Sequence, residues 1–382
     1  MYARFVKHPF MSHAALEHFD AAAFTHAMLR FELALAAAEE THGALPSGTH
    51  AALQHHLEAH DFDLAALEAG IAQGGNVAIP FVKQAKQALP DELKKRFHLA
   101  ATSQDVVDSA LMLLTRERLP VVLALATRIE HALATLMTAH VNTMMVGRTL
   151  MQQAMPMTFG VKAAQWAVGI HQGRRRLSNV ADSGLYVQFG GPVGVQAGLD
   201  DGLAVMADIA KRLGLATPVL PWHTDRQPIH ALITALDALA CGAEKIALDI
   251  ALLTQSEVGE VREPAGEGMG ESSSMPHKRN PVRCALIRTA ARQIHGHTAT
   301  IINAAAQPLE RALGEWHAEW APLIEAQALL EGALEQLAVV LEGLEVMPET
   351  MQINLDAAGT GGEEALGGSR AQVARVLALL HQ

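Results

Sequence analysis

The chain has 382 residues, half of them apolar, and 29 lysines and arginines against 40 aspartates and glutamates leave a net charge of −11. That length supports two or three structural units around a large core, and the acidic balance disfavours nonspecific binding to nucleic acid or to an anionic membrane. Charged residues punctuate every apolar stretch, so none is expected to supply the roughly 20 unbroken apolar residues of a membrane span.

The first twenty residues carry no apolar core followed by a small-residue cleavage site, and a cytoplasmic protein is expected. Alanine and leucine dominate thereafter, and apolar residues recur at three- and four-residue spacing, which predicts an all-α chain with very little sheet. An N-terminal helical unit over 1–101 is expected to hold helices at 11–42, 47–58, 63–72 and 77–89, interrupted at Pro46, Gly70, Gly74, Gly75 and Pro90. A central bundle over 102–346 follows, with long helices at 104–145, 157–182, 226–261, 281–306 and 316–345. Segment 235–256 is apolar around most of its circumference. A single antiparallel neighbour would not cover it, so burial in an oligomer is inferred. Residues 347–382 read as a short remnant ending in one helix, too little for a further domain.

Neither cysteine, Cys241 or Cys284, suggests a disulfide or zinc framework, since each sits alone in an apolar helical pattern. The 20 histidines lack metal-ligand spacing and mostly read as solvated surface. No HExxH, paired CxxC or phosphate-cradling loop occurs, so neither a metal nor an organic cofactor is expected. Gly190, Gly191 and Gly194 read as a tight turn rather than a nucleotide loop.

Chemistry concentrates in residues 264–281, PAGEGMGESSSMPHKRNP, a stretch unable to continue a helix yet rich in hydroxyl and cationic groups. Asn280 and Pro281 have the character of a helix N-cap and first helical residue. Ser272, Ser273, Ser274, Lys278 and Arg279 stand just before that start, where amides, helix dipole and two cations would suit an anion.

Glu271 to Pro281 resembles the signature Gly-Ser-Ser-x-Met-Pro-x-Lys-x-Asn-Pro of the fumarase/aspartase superfamily, departing only at Glu271. The resemblance implies that Ser272 exchanges a proton at the carbon beside a carboxylate, while Ser273, Met275, Lys278, Arg279 and Asn280 line the substrate. His98 to Asp105 resembles the family segment whose Thr-Ser pair, here Thr102 and Ser103, binds a carboxylate. Read by itself it is a capping box of Thr102 with Asp105, and the two readings are compatible. Gly147 to Pro156 resembles a third segment, with Arg148 and Gln152 as substrate contacts. Fumarases, argininosuccinate lyases and adenylosuccinate lyases carry a proton-transferring histidine where this chain has Leu150, which disfavours those activities.

The bacterial 3-carboxy-cis,cis-muconate cycloisomerases also lack that histidine. The resemblance to this branch spans roughly residues 15–355, including Gln188 to Gly191, Pro221 to Thr224 and Trp316 to Trp320. It implies the fumarase/aspartase fold, a small polycarboxylate substrate from protocatechuate catabolism, and a homotetramer in which three subunits build each site. It also implies that the family's C-terminal helical domain is truncated or missing. Arg226 joins the expected carboxylate ligands, and His223 and His317 are the remaining acid-base candidates, each equally readable as a packed histidine. Two alternatives stay open: another lyase of this fold that eliminates an amine, nitrite or similar group from a succinate-type substrate, and a noncatalytic structural oligomer.

Overall fold

The computed structural model describes residues 10–264, 270, 278–363 and 366–381. Ser272, Ser273 and Met275 lie outside the described residues.

Helices α1 (His13–His18) and α2 (Ala21–Thr41) share the expected 11–42 window. Asp20 divides them, because its side chain accepts from the Ala23 amide at 2.8 Å and so caps a new helix. Then come α3 (Thr49–Glu58), α4 (Leu64–Gly74), α5 (Ala78–Ala88) and the single turn α6 (Asp91–Lys94). Their buried residues, among them Phe31, Leu53 and Phe81, belong to one continuous apolar cluster with the long helices.

The long helices are α7 (Ser103–Ala139), α8 (Phe159–Ser183), α10 (Gln227–Leu253), α11 (Val282–Ala304) and α12 (Glu315–Glu342). Each packs on the next, and α12 closes back on α7, so five helices form a ring around their own apolar stripes. Helix α10 meets α8, α11 and α12, and Leu232, Leu236, Leu239, Ile246 and Ile250 are fully buried by them. Those neighbours leave one side of segment 235–256 open, where Cys241 is exposed and Ala238, Leu248, Ala251 and Leu252 are only partly buried. Helix α7 alone among the described residues is long and apolar enough on average to cross a membrane by length and composition, although charged residues interrupt it as expected. It is nonetheless a core helix, with Asp105, Asp108 and Glu130 buried along it and hydrogen-bonded within the protein.

Two expected helices end early. The 104–145 window stops at Ala139, and the chain turns into a hairpin of β1 (Met144–Thr149) and β2 (Gln152–Thr158). The return brings Gly160 onto the His140 carbonyl, where a Cβ would sit 2.8 Å away. The 226–261 window stops at Leu253, because Thr254 turns the chain and its hydroxyl donates to the Val261 carbonyl at 3.1 Å. There β3 (Val261–Arg262) pairs with β4 (Glu345–Val346). Helices α9 (Gly202–Leu213) and α13 (Pro348–Ala358), which packs on β1, were not anticipated, whereas the last helix α14 (Ser369–Leu380), which packs on α8, lies where it was expected.

The hairpin turn is Leu150-Met151, with φ of 48° and 66°, and Leu150 is 97% exposed. Two successive left-handed residues call for Asn-Gly, and other side chains cost about 1–2 kcal/mol each in that region. Replacing the pair by Asn-Gly (L150N with M151G) is expected to raise stability by about 1–2 kcal/mol in urea unfolding. An unchanged or lower midpoint would show that the apolar tip is itself stabilising.

Candidate active site

The first cluster lies where α7 begins. The Thr102 amide donates to Asp105 Oδ2 at 3.0 Å and the Asp105 amide faces the Thr102 side chain, so the expected capping box is formed, and Thr102 and Ser103 are half-buried at the helix start. Asp105 is fully buried and also accepts from the amides of Gly190 at 3.0 Å and Gly191 at 2.9 Å. The glycines have a steric reason: a Cβ on Gly191 would lie 2.6 Å from the Ala100 carbonyl, and one on Gly190 equally close to Pro221. Gly194 also takes a left-handed φ of 82°.

His223 completes this cluster, with Nε2 2.6 Å from Asp105 Oδ1 and its carbonyl accepting from Gln104. The ring is enclosed, 4% exposed. A carboxylate that orients one ring nitrogen leaves His223 an acid-base candidate, as expected from the sequence. Asp105 thereby joins three segments, the α7 start, the glycine amides at 190–191 and His223.

Arg226, expected among the carboxylate ligands of the substrate, is enclosed instead. It is 3% exposed and grips Asp108 (2.8 Å) on one side and Glu319 (2.7 Å) on the other, so it is not presented to substrate. One cation serves two carboxylates. Burial acts to raise the pKa of Asp108, but Arg226, Trp316 and Gln104 hold it below its ordinary value. On Glu319 burial wins over Arg226 and pushes the pKa up to about 7. His317, in contrast, is exposed and rests on Trp316 and Trp320.

Behind the α7 start, His98 Nδ1 contacts Glu32 at 2.6 Å, and His98 and Ala100 have left-handed φ of 62° and 52°. Burial opposes charge on His98, but Glu32 outweighs it and holds the imidazole above its ordinary pKa. On the same helix as Glu32, Glu39 is buried, and burial together with the Glu32 charge raises its pKa to about 9. Folded Glu39 thus keeps its proton at neutral pH whereas the unfolded chain ionises near 4.5. Its contribution is fully present below the unfolded value and is lost as pH rises towards 9, by up to about 1.4 kcal/mol per pH unit. Glu39→Gln is expected to hold its urea midpoint better than wild type between pH 6 and 9, and parallel pH profiles would contradict this.

The second cluster is on the hairpin. Arg148, on β1 beside an irregularity in the β1–β2 register, meets Glu260 with both terminal nitrogens, at 2.7 and 2.9 Å, while Gln152 on β2 is exposed. Neither Glu260 nor its further partner Asn354 was singled out from sequence, since nothing local marks a partner so distant.

The third cluster lines a cavity of about 690 Å³ with Thr254, Arg262, Glu263, Lys278, Arg279 and Asn280. Lys278 is exposed, whereas Arg279 is tied to Glu345 at 3.0 Å and to the Glu263 carbonyl. The expected anion site on the amides opening α11 is corrected. Glu263 occupies it, accepting from Arg283 N at 3.2 Å and Cys284 N at 2.7 Å, and the cap position falls to Pro281 rather than Asn280. The lining of this cavity includes no residue from 102–105 or 147–156. The α7 start contributes nothing to this cavity, whereas Glu260, the partner of Arg148, lies between its lining residues Gly259 and Arg262.

Away from these clusters, Asp237, Cys241 and His295 bring donor atoms within 4.8 Å of one another, a set of types that can hold a metal. Carboxylates already take both ring nitrogens of His295, Asp237 at 2.6 Å and Glu244 at 3.1 Å, which completes the group as a charged hydrogen-bond network.

Comparison with known proteins places these parts in context. The Lyase family matches residues 11–296. A 3-carboxy-cis,cis-muconate cycloisomerase of Bradyrhizobium diazoefficiens is 43% identical over 86% of this chain and 74% of its own length. A nitrosuccinate lyase of Streptomyces davaonensis is 40% identical over 90% of this chain and 74% of its own. The crystal structure of the 3-carboxy-cis,cis-muconate lactonizing enzyme from Pseudomonas putida superposes with a TM-score of 0.91 at 32% identity, covering 99% of each chain.

Proposed function

The chain belongs to the Lyase family of the fumarase/aspartase superfamily, and from that membership we propose that it catalyses the 3-carboxy-cis,cis-muconate cycloisomerase reaction. The observation that carries this reading is the identity with cycloisomerases over most of the chain. Leu150 accords with it, since this position has no group able to transfer a proton.

In the reaction one carboxylate of the tricarboxylate adds to its own diene. A carbon–oxygen bond closes the lactone, and the electron pair moves to the carbon beside a second carboxylate as an enediolate-like intermediate. A proton then forms the new carbon–hydrogen bond, so a trianion and one proton give a dianionic lactone. Ser272 delivers that proton and recovers one from solvent. Lys278 and Asn280 bind the carboxylate that takes up charge, assisted by Ser273, Met275 and Arg279. Thr102 and Ser103 receive another carboxylate at the positive end of α7, and Arg148 and Gln152 contact the substrate from the hairpin.

The cavity is lined by no residue of 102–105 or 147–156, and the exposed apolar tips Leu150, Met151, Leu309 and Leu313 suit burial against further copies. We therefore propose a cytoplasmic homotetramer with shared sites. Mixing Ser272→Ala and Arg148→Ala proteins after mild dissociation would restore part of the activity in shared sites and none in self-contained ones.

The deciding measurement is loss of the ultraviolet absorbance of 3-carboxy-cis,cis-muconate on adding protein. Loss of the diene signal supports the proposal. A stable diene signal together with nitrite release from nitrosuccinate would overturn it in favour of the elimination carried out by the Streptomyces relative, the specific rival that its 40% identity raises.

A further inference from the structure

Glu260 is fully buried in the turn between α10 and β3. Its backbone is fastened from both sides, the amide donating to the Leu253 carbonyl at 2.9 Å and the carbonyl accepting from Met347 N at 3.0 Å. The carboxylate cannot wander. Its Oε1 accepts from Arg148 Nη2 at 2.7 Å and from Asn354 Nδ2 at 2.8 Å, and its Oε2 accepts from Arg148 Nη1 at 2.9 Å. Asn354, on α13, is fixed in turn by donating to the Val258 carbonyl at 2.8 Å.

The geometry of a guanidinium makes this contact informative. Its five N–H groups lie in one plane, and the two facing away from the side chain are those that Glu260 takes. A third, on Nη1, points to the Val146 carbonyl at 3.3 Å. The remaining pair, Nε–H and the second Nη2–H, are parallel, sit on one edge and match the spacing of a carboxylate. Among the described residues no acceptor meets that edge, and the Arg148 side chain is 22% exposed. Because Glu260 already offsets the charge of Arg148, what the pair offers a ligand is direction more than net attraction.

We propose that Glu260 and Asn354 are positioning residues for Arg148, holding its guanidinium so that the Nε and Nη2 edge faces a substrate carboxylate. This rests on the cycloisomerase reading above and adds a role for α13, which follows the central bundle. A loose arginine samples many rotamers and loses that freedom on binding, while a clamped one has lost it beforehand. The clamp therefore acts on binding of the polycarboxylate more than on the proton transfer.

The test uses the full chain with Glu260→Gln and Asn354→Ala, each also combined with Arg148→Ala. Kinetics with 3-carboxy-cis,cis-muconate are read beside calorimetric binding of propane-1,2,3-tricarboxylate, and thermal unfolding monitors the fold. Glu260→Gln is expected to raise KM and the tricarboxylate Kd about tenfold with kcat changed less than about threefold, and Asn354→Ala to raise both about threefold. In the Arg148→Ala background neither substitution should add to the loss, because each acts through Arg148. Unchanged KM and Kd in the single variants, or full additivity in that background, would overturn the proposal, whatever the change in Tm. Should Glu260→Gln fail to fold, the Asn354→Ala pair decides by the same criteria. A wild type that binds the tricarboxylate but leaves the muconate unchanged would reject the reaction alone, and the Kd comparison would still decide the clamp. A wild type that does neither would reject both.

Discussion

Replacing Ser272 by alanine is expected to lower kcat for lactonisation by about 10²–10⁴-fold while KM moves little, the range typical of a lost proton donor or acceptor. The carbon that gains the proton stands beside a carboxylate, so the transition state needs both a proton source and a place for carboxylate charge. Alanine removes the first and leaves the second, because Lys278 and Asn280 at the cavity are untouched. A hydroxyl is a poor acid unless its alkoxide is stabilised, and Lys278, exposed at the cavity wall, is the cation proposed for that role. An interaction made only in the transition state lowers kcat and kcat/KM together. The assay is diene absorbance with saturating substrate. A kcat within about threefold of wild type would remove Ser272 from the proton transfer.

The long helices were legible because their apolar residues repeat at helical spacing for many turns, as in α8, α11 and α12. The α7 start was legible as well, since Thr102 and Asp105 carry a capping signal in four residues. The β1–β2 hairpin was not. Methionine, glutamine and alanine fill its strands without the β-branched enrichment of a sheet, and Leu150-Met151 has none of the Asn-Gly chemistry that marks a two-residue turn. Helix α9 was missed although Asp201 caps it, and α13 although Pro348 opens it, because short helices between glycine-rich stretches carry little periodicity. At the site, sequence supplied the residue types but not their partners. Arg148 and Arg226 look alike as cations in a sequence, and only tertiary contacts separate an arginine with an open edge from one enclosed by Asp108 and Glu319. The same holds for the start of α11, where an upstream Glu263 takes the amides that seemed reserved for a ligand.

Arg226→Ala is expected to destabilise the fold by about 3–5 kcal/mol, the cost of stranding a buried carboxylate by removing its cation. Arg226 bonds Asp108 and Glu319 at once, and neither carboxylate is more than 2% exposed. Other donors remain for each, Trp316 Nε1 at 2.9 Å for Asp108 and Gln307 at 2.9 Å for Glu319, but they are neutral. The pH dependence separates this from simple loss of packing. In wild type the Asp108 pKa is depressed, so its contribution is present above the ordinary carboxylate range and is lost as pH falls through the lowered value. Without Arg226 both carboxylates favour the protonated form in the fold, so the variant loses stability as pH rises above the ordinary carboxylate range. The deficit against wild type should therefore be larger at pH 8 than at pH 5 in urea unfolding. Adding Asp108→Asn and Glu319→Gln to Arg226→Met, which removes all three charges of this cluster, should recover much of the loss. A raised KM at unaltered stability would instead return Arg226 to the substrate.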